Sequence, residues 1–256
     1  MKQIANIFTL LNLLFGCMAI VFTLQTDSVI IYVNDQFESS FNIPEKLTWA
    51  AICVGLAAII DFLDGLVARL LNVTSALGKQ LDSLSDIVSF GVAPAAIIYQ
   101  LLRLSFAREE NGLETSIVWL LPAFIISCAA AWRLAKFNLN ETESYNFKGV
   151  PTPAVGLLIA SFPLIFHYNA ALFGIGNVLI NKWVLYGVIF LLSYLMVSGL
   201  PMMGMKFKDY TLKSNLPKII LAVIAIISAI FLQWIAVPVT FIVYILLSLA
   251  YKKTLT

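Results

Sequence analysis

Between Asp61 and Asp86 the chain reads DFLDGLVARLLNVTSALGKQLDSLSD, with its acids at helical spacing. Asp61, Asp64, Gly65 and Ala68 stand at i, i+3, i+4 and i+7 on one helix face, and Arg69 follows directly. Gly78, Asp82 and Asp86 repeat the arrangement at i, i+4 and i+8. A short polar segment with Asn72, Thr74 and Ser75 joins the two helices, each of which presents a pair of carboxylates. Four acids so close repel one another unless cations lie between them. Hard divalent ions such as Mg²⁺ or Mn²⁺ take oxygen ligands, and Mg²⁺ combines carboxylates with substrate phosphates. Two such ions held a few ångströms apart clamp the attacking and leaving oxygens of a phosphoryl transfer. The pattern therefore points to Asp61, Asp64, Asp82 and Asp86 as ligands of two divalent cations, Mg or Mn, and to a phosphate-bearing substrate. Arg69 supplies positive charge for that phosphate, while Gly65 and Gly78 remove side-chain bulk where a nucleotide approaches the backbone.

The elements that position these acids are apolar. The 256 residues are 61% hydrophobic and 12% charged, with a mean hydropathy of +0.93, far from the balance of ordinary soluble domains. The expectation is an all-α, polytopic membrane bundle. Runs long enough to cross a bilayer, which takes about 20 residues, lie near 4 to 24, 47 to 69, 81 to 103, 116 to 137, 152 to 172, 181 to 200, 216 to 232 and 234 to 251. That predicts eight transmembrane helices, the last two forming a tight hairpin around Gln233 and Trp234. The organisation expected is a six-helix core over residues 1–201 followed by a C-terminal hairpin over 202–256. A net charge of +2 with dispersed basic residues gives no reason to expect a nucleic-acid partner.

Charge distribution sets the orientation. With the N-terminus inside, the inner ends and loops hold 12 of the 16 lysines and arginines, leaving Lys46, Arg103, Arg108 and Lys182 outside. The positive-inside rule then places both termini in the cytoplasm and the four aspartates at the cytoplasmic interface, where water-soluble molecules and lipid headgroups meet. The outer loop Gln25 to Lys46 carries acids but no patterned site, and reads as a solvated cap.

Other polar residues invite either a structural or a substrate-binding reading. Asn6, Thr9 and Asn12 form a stripe on the first helix at the depth of the aspartates, facing the bundle as interhelical glue or as part of the site. Arg133 and Lys136 end the fourth helix, as snorkelling charges or as anion contacts. Gly149-Val-Pro-Thr-Pro153 is a compact turn on the same side that is placed to close over a substrate, its prolines suiting a helix first turn. His167, the lone histidine, lies away from the acids and reads as structural or exposed. Cys17, Cys53 and Cys128 lie in apolar runs without metal-ligand spacing and read as small buried hydrophobes, not disulfides. Leu14-Phe-Gly-Cys17 distantly suggests a lipoprotein cleavage box, but the apolar run continues beyond it, so an uncleaved first helix is expected. The last two helices offer almost no polar residues and read as scaffold or a dimer surface.

The pattern D-x2-D-G-x2-A-R-x8-G-x3-D-x3-D is met at all eight fixed positions, from Asp61 to Asp86, and in this the chain resembles the CDP-alcohol phosphotransferases. The resemblance covers roughly Met1 to Pro201. It implies two divalent metals on Asp61, Asp64, Asp82 and Asp86, with Asp86 also the proton acceptor. It further implies that Gly65, Arg69, Ser75 and Gly78, with Asn6, Thr9 and Asn12, contact a CDP-linked lipid, CDP-diacylglycerol. The run Leu81 to Pro94, the opening Asn6-x2-Thr9-Leu10-x-Asn12, Arg133 to Asn138 and Gly149 to Pro153 are similar to the serine-accepting branch, the phosphatidylserine synthases. L-serine is accordingly the acceptor the resemblance implies, with Arg133, Lys136, Asn138 and Lys148 as candidates to hold its carboxylate. Inositol phosphate, glycerol phosphate or choline are the rival acceptors, and a cation transporter is the rival class. The family resemblance also implies a homodimer in the lipid bilayer, here the bacterial inner membrane, with its site facing the cytoplasm.

Overall fold

The structure is a computed structural model that describes residues 2–25, 45–70, 76–109, 114–139, 147–169, 174–204 and 212–251. It is helical throughout save for one two-residue strand pair. Each expected apolar run appears as helix. The runs are α1 (Lys2–Leu24), α2 (Glu45–Leu70), α3 (Ala76–Asp86) continued by a π-helical turn (Ile87–Val92) into α4 (Ala93–Phe106), and α5 (Ile125–Leu139) entered through 3-10 turns. They continue with α6 (Thr152–Asn169), the short α7 (Ile175–Leu179) leading to α8 (Lys182–Val197), and α9 (Leu212–Leu232) and α10 (Ala236–Ala250). Among the described residues five stretches, where eight were expected, are long and apolar enough to cross a membrane; one of them, 215–250, contains both α9 and α10, and α6 is not among the five. The 16-residue α8 is apolar but shorter. At the break between α9 and α10, Gln233 adopts φ 49° and the two helices pack on each other. The molecule is an all-α polytopic membrane bundle.

The continuous run from α3 through α4 is the central element. Polar side chains step along it and along α1 in the same order. Ser85 Oγ donates to Thr9 O at 3.0 Å, Ser89 Oγ to Asn12 O at 3.0 Å and Gln100 Nε2 to Thr23 O at 3.0 Å. These bonds make the two helices parallel, and Thr9 at the start of α1 meeting Asp64 near the end of α2 makes α2 antiparallel to both. Such interhelical bonds satisfy hydroxyl and amide groups that lipid leaves bare. Gly16 lets α1 approach closely, since a Cβ there would stand 2.4 Å from Ser89 Oγ and 2.9 Å from Ser89 Cα. Around the central run the core is Phe90, Ile97, Ile98, Leu101 and Leu102, with Ile126 and Ile159 from α5 and α6. Large apolar residues on the outer faces stay exposed, among them Leu14 on α1 and Ile226, Ile230 and Phe231 on α9, as lipid-facing positions are in membrane bundles.

One expectation is corrected here. Cys53 is buried, but Cys17 and Cys128 lie exposed on outer helix faces, because their helices turn those positions away from the bundle; all three are free thiols. The Gly149–Pro153 turn is tied into the fold by its backbone. Strand β1 (Phe147–Lys148) pairs antiparallel with β2 (Pro201–Met202), and the turn's backbone is bonded into the α8 end by Gly149 N to Leu200 O at 2.8 Å and Val150 N to Leu195 O at 3.1 Å. Gly149 takes φ 75°, the left-handed region, and a Cβ there would fall 2.3 Å from Met196 O.

Candidate active site

The end of α2 and the whole of α3 bring the acids together as their spacing predicts. Asp61, Asp82 and Asp86 each offer a carboxylate oxygen within 4.8 Å of the others, a group that can hold a metal ion. Asp64, one turn beyond Asp61, stands slightly apart. It is buried, its Oδ2 accepts a 2.5 Å hydrogen bond from Thr9 Oγ1, and its Oδ1 has no hydrogen-bond partner. Even so, Asp64 lies within electrostatic reach of both Asp61 and Asp82. Buried carboxylates crowded this way are strongly destabilising unless compensated by cations or donors. The orphaned Asp64 oxygen and the three converging carboxylates fit the hard, oxygen-seeking chemistry of a divalent ion.

Donors reach the acids from two directions. On α1, Asn12 is fully enclosed and its Nδ2 donates to Asp86 Oδ1 at 3.3 Å, while Asn12 Oδ1 has no partner. Thr9 and Asn12 thus each hold one acid, whereas Asn6 is half-buried further toward the helix start. On α5, the buried Arg133 lies within electrostatic reach of Asp86. Its Nη1 donates to Thr152 Oγ1 at 3.2 Å, and its Nε is buried with no hydrogen-bond partner. The π turn follows Asp86 directly, a departure from α-geometry that is frequent at functional sites because it widens the turn and re-aims neighbouring side chains.

The remaining expected residues divide. Gly65 is exposed and Gly78 half-buried at the mouth formed by α2 and α3, while Ser75 and the side chain of Arg69 lie outside the described residues. Of the four expected serine contacts, Arg133 alone is brought into reach of the aspartates by a described interaction. Asn138 instead ties α5 to α3, its Nδ2 donating to Ser83 Oγ at 2.8 Å and its carbonyl accepting from Lys79 Nζ at 3.4 Å. Lys136 is exposed one turn along α5, and Lys148 is exposed on β1. His167 is exposed, edge-on to Tyr168 at 4.7 Å, as expected of a residue outside the site. Thr152 and Tyr244 are residues the sequence reading passed over. Thr152 sits inside the Gly-x-Pro-Thr-Pro turn already singled out, whereas Tyr244 lies in an apolar run with no local pattern to mark it.

Comparison with known proteins agrees with this geometry. Residues 2–194 match the model of the CDP-alcohol phosphatidyltransferase family. A CDP-diacylglycerol–serine O-phosphatidyltransferase of Helicobacter pylori is 35% identical over 173 residues, covering 66% of this chain and 66% of the relative. The enzyme of the same name from Methanocaldococcus jannaschii is 40% identical over 107 residues, 42% of this chain and 46% of the relative. An archaetidylserine synthase of Methanothermobacter thermautotrophicus is 35% identical over 130 residues, 50% of this chain and 52% of the relative. The chain spans at most about two thirds of the length of these relatives. The match over three quarters of its residues, carrying the whole aspartate motif, makes this chain a member of the CDP-alcohol phosphatidyltransferase family.

Proposed function

We propose that this protein transfers the phosphatidyl group of CDP-diacylglycerol to the hydroxyl of L-serine, giving phosphatidylserine and CMP. The observation that carries the reading is the convergence of Asp61, Asp82 and Asp86 at one end of the bundle, with the buried Arg133 within electrostatic reach of Asp86. The names of the relatives, serine transferases on CDP-diacylglycerol and an archaetidylserine synthase, support serine over other alcohols.

Asp61, Asp64, Asp82 and Asp86 would hold two divalent cations, Mg or Mn. Bound there, the cations supply positive charge against the diphosphate as negative charge develops on it. The chain's own groups do the rest. Thr9 and Asn12 hold Asp64 and Asp86 in fixed rotamers, which reduces the reorganisation needed when substrate arrives. Asp86 accepts the proton of the serine hydroxyl as its oxygen bonds to the lipid-side phosphorus, and the bond from that phosphorus to the oxygen of CMP breaks. Arg133, buried with an unpartnered Nε, is placed to grip the serine carboxylate through its planar fork of donors. The lysine-rich end that carries Lys79, Lys136 and Lys148 favours a site on the cytoplasmic face of the membrane.

The test is purified protein with CDP-diacylglycerol, each metal in turn and a panel of alcohols, read by CMP release and by the lipid formed. Serine-dependent CMP release with phosphatidylserine as product is expected. Turnover with inositol phosphate, glycerol phosphate or choline in its place would move the acceptor assignment. In the same assay Asp86→Asn is expected to lose about two to four orders of magnitude in rate while retaining CDP-diacylglycerol binding.

A further inference from the structure

The family match ends within α8, so the hairpin of α9 and α10 lies beyond it, and by composition it reads as scaffold or a dimer surface. The polar groups of α10 add to that reading. Tyr244 is buried, and its hydroxyl donates to Met203 O at 3.1 Å. Ser248, one turn on and fully buried, accepts from Met203 N at 3.1 Å and donates back to Tyr244 O at 2.7 Å. Both backbone groups of Met203 are therefore bonded by one helix. Met203 directly follows β2, β2 pairs with β1, and the turn after β1 leads to Thr152, the residue bonded to Arg133 Nη1. Tyr244 also comes within electrostatic reach of Arg133 itself. On α9, by contrast, Ser228 bonds only within its own helix, to Ile224 O and Ala225 O.

Resting on the serine-transfer reading above, we infer that Tyr244 is a positioning residue for the acceptor alcohol. Its hydroxyl holds Met203, and through Met203, the strand pair and Thr152 it fixes Arg133. A planar guanidinium anchored at one nitrogen has its remaining donors aimed, so anchoring decides how well it meets a carboxylate. The hairpin thus completes the acceptor side of the site.

The test uses the full chain in lipid–detergent micelles, with KM and kcat measured for each substrate at saturation of the other. Tyr244→Phe keeps the ring and removes the hydroxyl. It is expected to raise the KM for serine about five- to tenfold, the size of one lost buried hydrogen bond, with the KM for CDP-diacylglycerol unchanged. Ser248→Ala, which leaves the tyrosine in place, is expected to raise the KM for serine about threefold and carries the test if Tyr244→Phe does not fold. Ser228→Ala serves as the hairpin control and should match the wild type. Preference for serine over ethanolamine, which lacks the carboxylate, should fall with Tyr244→Phe, and the effect should largely vanish in an Arg133→Lys background. A KM for serine within twofold of wild type in the folded variants, or an equal rise for both substrates, would overturn the inference. If the wild type uses a different alcohol, the serine reading fails first; the KM comparison is then run with that alcohol, and the same two outcomes decide whether Tyr244 positions it.

Discussion

The aspartates of α2 and α3 and the arginine of α5 face the same space, but they are held in different ways. Each buried acid is held by a single side chain of α1, Asp64 by Thr9 and Asp86 by Asn12. Arg133 is held at the end of a relay that runs from α10 through the backbone of Met203, across a two-residue strand pair and on to Thr152. On the acid side α1 packs against both α2 and the α3–α4 run, with Gly16 admitting Ser89. On the arginine side the hold rests on a handful of long-range hydrogen bonds, each worth about 1 kcal/mol. In the proposed reaction the phosphate substrate would meet the first arrangement and the acceptor alcohol the second, so that chemistry and specificity would rest on differently built halves of one site.

Removing a ligand from the acid side should have the largest effect. Asp61→Ala and Asp82→Ala are each expected to cut CMP release by at least about a hundred- to a thousandfold, the range for losing a preorganised charge-stabilising group. Chelation of divalent ions should abolish turnover in the wild type, and added Mg²⁺ or Mn²⁺ should restore it. Near-normal turnover in either variant, with an unaltered metal titration, would mean that the cluster is not where the chemistry occurs.

On the arginine side the effect should be smaller and confined to one substrate. Arg133→Ala removes a charge-assisted contact, typically about 1.5–3 kcal/mol, so the KM for serine is expected to rise about ten- to a hundredfold. The CDP-diacylglycerol KM should not change. An equal rise for both substrates would place Arg133 with the acids and erase the distinction between the halves.

The same division explains what could be read from the sequence. The acids were legible because helical periodicity alone brings Asp61 and Asp64, or Asp82 and Asp86, onto one face, and a short connection forces the two faces together. The α1 stripe was legible as polar residues at their depth, although Thr9 and Asn12 could not be assigned to particular acids without the packing of α1 between the two helices. Asn138 was a candidate serine contact from its segment's resemblance, and only the meeting of α5 with α3 shows that its amide donates to Ser83. Tyr244 could not be seen, since a tyrosine in an apolar helix reads as packing or interfacial anchoring and its partners lie 41 and 111 residues away in sequence. Local spacing brings the aspartates together, while the setting of Arg133 depends on tertiary contacts that no short window contains.

The finest test of that contrast lies on α1, where glue and site coincide. Thr9→Val keeps the shape of the side chain but removes the donor to Asp64, and Ser85→Ala removes a donor that reaches only the Thr9 carbonyl. Both lose one buried hydrogen bond, so both should lower the thermal midpoint by a similar small amount, about 1 kcal/mol in stability. Their effects on metal use should differ. Without Thr9 Oγ1, Asp64 is free to leave the rotamer in which that bond holds it beside the other acids, so the divalent-ion concentration for half-maximal activity is expected to rise about threefold to fivefold. Ser85→Ala leaves Asp64 bonded, and its metal titration should overlay that of the wild type. Overlapping titrations for both variants would reduce Thr9 to a helix-packing residue and leave Asp64 positioned by the backbone of α2 alone.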